Sequence, residues 1–403
     1  MKILVLTSLF PPHVFGGAEI AAYNMVKLLV SRGHDVHVAT VQEKDSDAMW
    51  GTVTSEGYKL YRLNIPRTHT LYERNIQQTK ISKLVWHLQD YLDFRNSLEI
   101  QRLLDTVKPD HIDIHNITGI GYNTLPVLNN CDASIAYVIH DLGLACFHTS
   151  MFKNGENCNK QCGGCRISSF SRQFYLKKLE RLSVVSPSKA NLEKLIYFVP
   201  FLAKKPQLVL HNVLDDLPPS SEYINTDINK VKLLYVGRID SLKGINFLLE
   251  VLSCLASEFS FHITILGKGP EEETLRIKYK NAAWVTFLGF VTSREVADHL
   301  AMSDFYCIPS IWAETYGMTT AQALRIGTPV IGSDIGGTAE LVKNGVTGIL
   351  IKPGDSLAWL EELKKLFINP KLIHQLRQNT IEYSGELDSE KIALKYEHFV
   401  DSL

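Results

Sequence analysis

Short, nearly unbroken apolar runs alternate along this chain with segments whose apolar residues recur at helical spacing. That alternation restricts the fold more than any other feature. A strand that is apolar on both sides must be covered on both sides, and helices flanking a parallel sheet do this. The runs at 2–9, 35–40, 113–115, 133–140 and 183–186 are expected strands, and 18–31 is an expected helix that stops at Gly33. A polar, proline-rich stretch at 215–221 reads as a linker. A second series follows it, with strands at 232–236, 262–266, 284–288, 305–308, 328–332 and 348–351. Helices are expected between them at 245–256 and 294–302, and after them at 355–366 and 390–400, with Asp355 as an N-cap. The chain thus reads as α/β with two doubly wound domains, and its 403 residues suit two.

Composition narrows the function. A formal net charge of -1 gives no bulk electrostatic case for nucleic acid as a partner. The first apolar run ends at Pro11 and Pro12, too soon to span a bilayer, and reads as a strand, not a signal peptide. No other segment approaches spanning length, so a cytoplasmic protein with seven reduced cysteines is expected.

The residues that could carry chemistry fall just after expected strands, where open parallel sheets bind ligands. Gly16 and Gly17 follow the first strand and would let backbone approach an anion, or form only a tight turn. Gly237-Arg238 and Lys243-Gly244 place a guanidinium and an ammonium after a buried strand, which suits a diphosphate; singly, either could be a solvated surface charge. His140 ends another strand, as catalyst or as packing residue. Gly267 closes the run at 262–266. Most informative is the stretch from Glu314 to Gln322, an acid followed by a helix that Gly317 opens. Free amides at a helix start attract phosphate, and the acid ahead would face what the phosphate carries.

Together these motifs resemble the donor-binding signature of the retaining glycosyltransferases of family 4, which have the GT-B fold. The resemblance implies two Rossmann-like domains with parallel sheets facing across a cleft. Residues 1–210 would bind the acceptor, 211–380 the nucleotide sugar, and 381–403 would return as a helix to the first domain. It implies that Gly16 and Gly17 lie near the donor diphosphate, and that Arg238 and Lys243 grip the leaving nucleoside diphosphate. His140 would orient the donor sugar, Gly267 and Val291 would frame the base, and Glu314 would accept sugar hydroxyls. The amides of Tyr316, Gly317 and Met318 would face sugar and phosphate. The family has a second Glu where this chain has Gln322, which keeps a carbonyl acceptor for the ribose and adds NH₂ donors. An active enzyme is expected; weakened catalysis with retained nucleotide binding is the alternative. No cofactor is required for catalysis in this reading.

Cys146, Cys158, Cys162 and Cys165 have spacing that could wrap a structural zinc ion, or could be free thiols in a loop. The stretches 195–203 and 170–181 interleave apolar residues with cations, as a peripheral membrane contact or as core plus solvated face. The leading expectation is a hexosyltransferase-type enzyme that moves sugar from a nucleotide-diphosphate sugar to a saccharide or lipid-linked acceptor. Its setting would be surface polysaccharide biosynthesis at the inner face of the cell membrane. The competing readings are a GT-B-like sugar-nucleotide epimerase or hydrolase, and a non-catalytic nucleotide-sugar-binding protein.

Overall fold

A computed structural model describes residues 1–13, 16–42, 50–65, 79–93, 95–214 and 230–403. The expected linker at 215–221 lies outside them.

The first sheet collects β1 (Lys2–Leu6), β2 (Asp35–Val41), β3 (Trp50–Val53), β4 (Lys59–Leu63), β5 (His111–Ile114) and β6 (Ser134–Val138). A separate hairpin, β7 (Phe152–Lys153) with β8 (Glu156–Asn157), precedes its last two strands, β9 (Leu182–Ser186) and β10 (Gln207–Val209). Strand order is β10-β9-β6-β5-β1-β2-β4-β3, parallel except for β3, which runs antiparallel along the edge. Its helices are α1 (Gly17–Ser31), α2 (Lys80–Leu92), α3 (Arg95–Val107), α4 (Gly163–Leu176) and α5 (Lys189–Phe198).

The second sheet has the order β13-β12-β11-β14-β15-β16 and is parallel throughout. Its strands are β11 (Val231–Val236), β12 (Phe261–Leu266), β13 (Val285–Gly289), β14 (Phe305–Ile308), β15 (Val330–Ser333) and β16 (Gly348–Ile351). Around it lie α6 (Ile245–Leu255), α7 (Glu272–Lys278), α8 (Ser293–Ala301), α9 (Met318–Ile326), α10 (Gly336–Leu341), α11 (Ser356–Phe367) and α12 (Pro370–Tyr383). The final helix is α13 (Ser389–Asp401).

The period of a strand explains the apolar runs. In β1, Leu4 and Leu6 enter one core while Ile3 and Val5 enter another on the opposite face. In β11, Leu233 and Tyr235 face one core and Leu234 the other. Covered on both faces, these central strands have little place for polar residues. The first expected strand is shorter than its apolar run, and Leu9 and Phe10 are buried beyond its end.

The chain crosses between the domains twice. Tyr383 and Leu387 still pack with second-domain residues, so the return starts later than the expected 381. From α13, Ile392, Ala393, Tyr396 and Val400 then join Ile3, Val5 and Val26 in a first-domain core. The Tyr396 hydroxyl donates to Asp113 Oδ2 at 2.5 Å, and Glu397 takes a bidentate pair from Arg32 at 2.7 Å to each oxygen.

Candidate donor site

The carboxyl ends of both sheets face a cavity of about 850 Å³, within the range of small-ligand pockets. Gly16, Gly17, Ile20 and Tyr23 line it from the first domain. Gly237, Arg238, Gly267, Lys268, Phe290, Val291, Met318, Thr319 and Gln322 line it from the second. The domains nearly touch here: a Cβ on Gly17 would lie 3.3 Å from Met318 Cγ. Of the residues expected at the donor, the cavity thus gathers Gly16, Gly17, Gly237, Arg238, Gly267, Val291, Met318 and Gln322.

Gly317 sits at φ 92°, a left-handed conformation natural to glycine, and turns the chain into α9. A Cβ there would press on Thr320 Oγ1 at 3.1 Å. The first-turn amides of α9 have no carbonyl one turn back to bond, so they stay available to an anion beside Met318 and Thr319. Tyr316 is buried, with its ring 5.6 Å from that of His211.

Glu314 and Lys243 are not on the cavity lining; they pair with each other, Nζ to Oε1 at 2.6 Å. The same Oε1 accepts from Ser310 Oγ at 2.7 Å and Trp312 Nε1 at 3.1 Å. Three donors thus hold one oxygen of a buried carboxylate, and among the described residues Oε2 has none. The sequence reading gave the acid and the ammonium separate ligands, whereas in this structure each is the other's partner. Arg238 remains largely exposed and donates from Nε to Asp240 Oδ2. Asp240 also accepts the Lys243 amide at 3.1 Å, so one buried carboxylate organises the turn bearing both cations.

His140 lies outside the large cavity. Its Nε2 is 2.6 Å from His115 Nδ1, the rings stack at 4.9 Å, and two cavities of about 20 Å³ flank the pair. Burial pushes both imidazoles down, and it pushes His140 well below the ordinary histidine value, with the neighbouring His115 ring opposing a second positive charge there. Both are therefore neutral at neutral pH, with a single proton serving the bond between them.

The four cysteines, read as a zinc set or as free thiols, are spread between core and surface. Cys146 and Cys165 are buried with sulfurs 3.7 Å apart, but among the described residues no group of three or more His, Cys, Asp or Glu is placed to hold a metal ion. Cys162 is exposed and Cys158 only partly buried.

Sequence reasoning missed Gly336 and Gly337. A Cβ on Gly336 would come within 2.5 Å of Glu314 O, and one on Gly337 within 2.5 Å of Tyr316 Cα. The Gly337 amide donates to Glu314 O at 2.7 Å. The signal was present, since this glycine pair follows β15 just as Gly16-Gly17 follows β1. Ser310 and Trp312 carried no comparable signal.

Two family models match, "Glycosyltransferase Family 4" over residues 15–192 and "Glycosyl transferases group 1" over residues 221–383. An uncharacterised glycosyltransferase of Methanocaldococcus jannaschii is 25% identical, over 89% of this chain and 87% of that protein. The phosphatidyl-myo-inositol mannosyltransferase of Mycobacterium leprae is 27% identical over 53% of this chain and 52% of its own length. The solved structure of Anabaena Alr3699/HepE in complex with UDP-glucose superposes over the whole of both chains with a TM-score of 0.68 at 17% identity.

Proposed function

This chain belongs to glycosyltransferase family 4 and has the GT-B fold, and from that premise we propose that it moves a sugar, with retention, from a nucleotide-diphosphate sugar to a lipid-linked saccharide acceptor. The observation that carries the reading is the cavity in which Gly16-Gly17, Arg238 and the first turn of α9 face one another across the domain cleft. A sugar leaving a diphosphate leaves negative charge behind, and fixed donors aimed at that charge lower the barrier. Arg238 supplies a guanidinium and α9 supplies main-chain dipoles. Glu314 Oε2 accepts a hydroxyl of the transferred sugar while Lys243, Ser310 and Trp312 hold Oε1 still. Gln322 takes the ribose through its amide. The acceptor hydroxyl enters on the face the diphosphate leaves, and the departing phosphate takes its proton. The solved relative carries UDP-glucose, which supports a donor of this class.

A membrane-facing acceptor is supported by the surface of the first domain. Helix α2 exposes Ile81, Val85, Leu88 and Leu92, and α4 exposes Ile167, Phe170 and Phe174, each set at helical spacing. Arg172 Nε donates to the Tyr91 hydroxyl at 3.1 Å and the Tyr175 hydroxyl to Tyr91 O at 2.9 Å, so the two helices are neighbours. Exposed Arg166, Lys177 and Lys178 accompany the α4 stripe. Apolar stripes flanked by cations suit the anionic inner face of a membrane. Among the described residues no helix is long and apolar enough to cross one.

Nucleoside-diphosphate release from a panel of sugar nucleotides, with and without a lipid-linked acceptor, tests the reading. Acceptor-dependent release is expected, and Arg238→Ala should slow it by about 100-fold. Full-speed transfer by that variant overturns the proposal. Acceptor-independent release would instead indicate a hydrolase, and binding without turnover a nucleotide-sugar-binding protein. Flotation with vesicles containing anionic phospholipid is expected to carry the protein upward at low salt; no binding there removes the membrane part.

A further inference from the structure

The loop that bears Glu314 belongs to the second domain, yet the first domain grips it on both sides. Asn157, on β8, uses its whole carboxamide. Nδ2 donates to Ile311 O at 3.0 Å, and Oδ1 accepts from the Ala313 amide at 3.1 Å. On the far side of Glu314, Ser188 Oγ donates to Thr315 O at 2.6 Å. Glu340, on α10, accepts the amides of Lys189 and Ala190 in the first turn of α5, which ties the same seam from the opposite direction. Glu314's own carbonyl is held from within its domain by the Gly337 amide.

We propose that Asn157 and Ser188 form an interdomain clasp that sets the Glu314 loop when the cleft closes. This rests on the transferase reading above. Both residues act through the loop and are positioning residues. The geometry favours this role over incidental contact. A carboxamide that satisfies a carbonyl and an amide two residues apart fixes a backbone segment in both position and direction. The hairpin presenting Asn157 is itself anchored. The Cys158 amide bonds Met151 O at 2.7 Å, and Gln161 Nε2 bonds Ala145 O at 2.7 Å. Ser188 is the N-cap of α5 and accepts the Asn191 amide at 3.1 Å, so its hydroxyl is fixed before it reaches across. When the domains part, the loop loses three of its bonds at once. The carboxylate aimed at the sugar is then set only by side chains of its own domain. Closure and alignment of Glu314 become one event.

Three variants test the clasp. Asn157→Ala removes both carboxamide bonds. Asn157→Asp keeps the acceptor for the Ala313 amide and loses the donor. Ser188→Gly removes the hydroxyl from a position where glycine is a tolerated cap. Turnover of Asn157→Ala is expected to fall about tenfold, which corresponds to about 1.4 kcal/mol. Asn157→Asp and Ser188→Gly should fall less. The affinity of each variant for UDP or GDP, whichever the wild type binds, should stay within about twofold of wild type. Small-angle scattering of the ligand-free Asn157→Ala protein should show a larger radius of gyration. A turnover within about twofold of wild type together with an unchanged scattering profile overturns the clasp. So does a loss of turnover that tracks a lower melting temperature with no change in radius, because that is a fold defect. If the wild type releases no nucleoside diphosphate from any donor, the transferase reading fails, and the scattering comparison still decides whether the clasp exists.

Discussion

At the scale of single residues, Lys243 and Glu314 are the pair most sensitive to change. Their carboxylate is buried, and removing the ammonium leaves a charge without its counterion, a situation that costs far more than losing an exposed pair. Lys243→Met is expected to lower both turnover, by 100-fold or about that, and stability. Adding Glu314→Gln should restore part of the stability but none of the activity, and urea unfolding beside initial rates separates the two. Gln322 lines the cavity, and Gln322→Glu is expected to change turnover by less than about tenfold, since a carboxamide and a carboxylate both present an oxygen acceptor there. Cysteine reactivity provides a third check. The Cys162 thiol is exposed, and hydrogen bonds from the Cys165 amide and thiol lower its pKa, so more thiolate is present at neutral pH. Iodoacetamide at pH 7.5 should label Cys162 before buried Cys146, Cys165 and Cys307, as peptide mass mapping would show.

At the scale of elements, α9 shows how a nine-residue helix depends on its first turn. Gly317→Ala forces a side chain into the left-handed region against Thr320 and Thr338. It should cost about 1–2 kcal/mol and weaken nucleoside-diphosphate binding, measurable by urea unfolding and calorimetry. The second domain was legible in the sequence nearly strand for strand, because buried parallel strands leave continuous apolar runs and Asp355 caps α11 as its position suggested. The region between β2 and β5 was not. Strand β4 is short, and its apolar residues are interleaved with half-buried Lys59 and Arg62. Helix α2 turns an apolar stripe to solvent, so the rule that apolar residues mark the core gives no direction there. Around the cavity, Gly16, Gly17, Gly237, Arg238 and Gly267 stood out in the sequence because each follows a strand, whereas the pairing of Lys243 with Glu314 and the approach of Gly336 and Gly337 did not. Nor did Asn157, because its partners are 154 and 156 residues away and meet it only through the relative placement of two domains.

At the scale of the whole molecule, stability should follow two titrations. Burial holds His37, His115, His140 and His211 below the free-histidine value, so the unfolded chain binds more protons as pH falls below about 6.5. Stability is therefore full above that pH and declines as it drops toward the folded values. Glu397 is drawn down to about 2 by Arg32, first through hydrogen bonding, so its contribution is lost only between about 4.5 and about 2. Thermal unfolding across pH 8 to 3 should show both phases, and Glu397→Gln should remove part of the lower one. Tyr396→Phe should cost about 2 kcal/mol, because it takes a hydrogen bond from the fully buried Asp113 carboxylate.

The return of α13 also bears on how the molecule is made. A nascent polypeptide that has emerged through residue 214 has every strand of its first sheet, yet the greasy side formed by Ile3, Val5 and Val36 lacks the cover that Ile392, Ala393, Tyr396 and Val400 bring. That face of the lobe stays uncovered until residues 392–400 have been made. A protease that clips near Asp388 would loosen the cover of strands laid down at the other end of the chain.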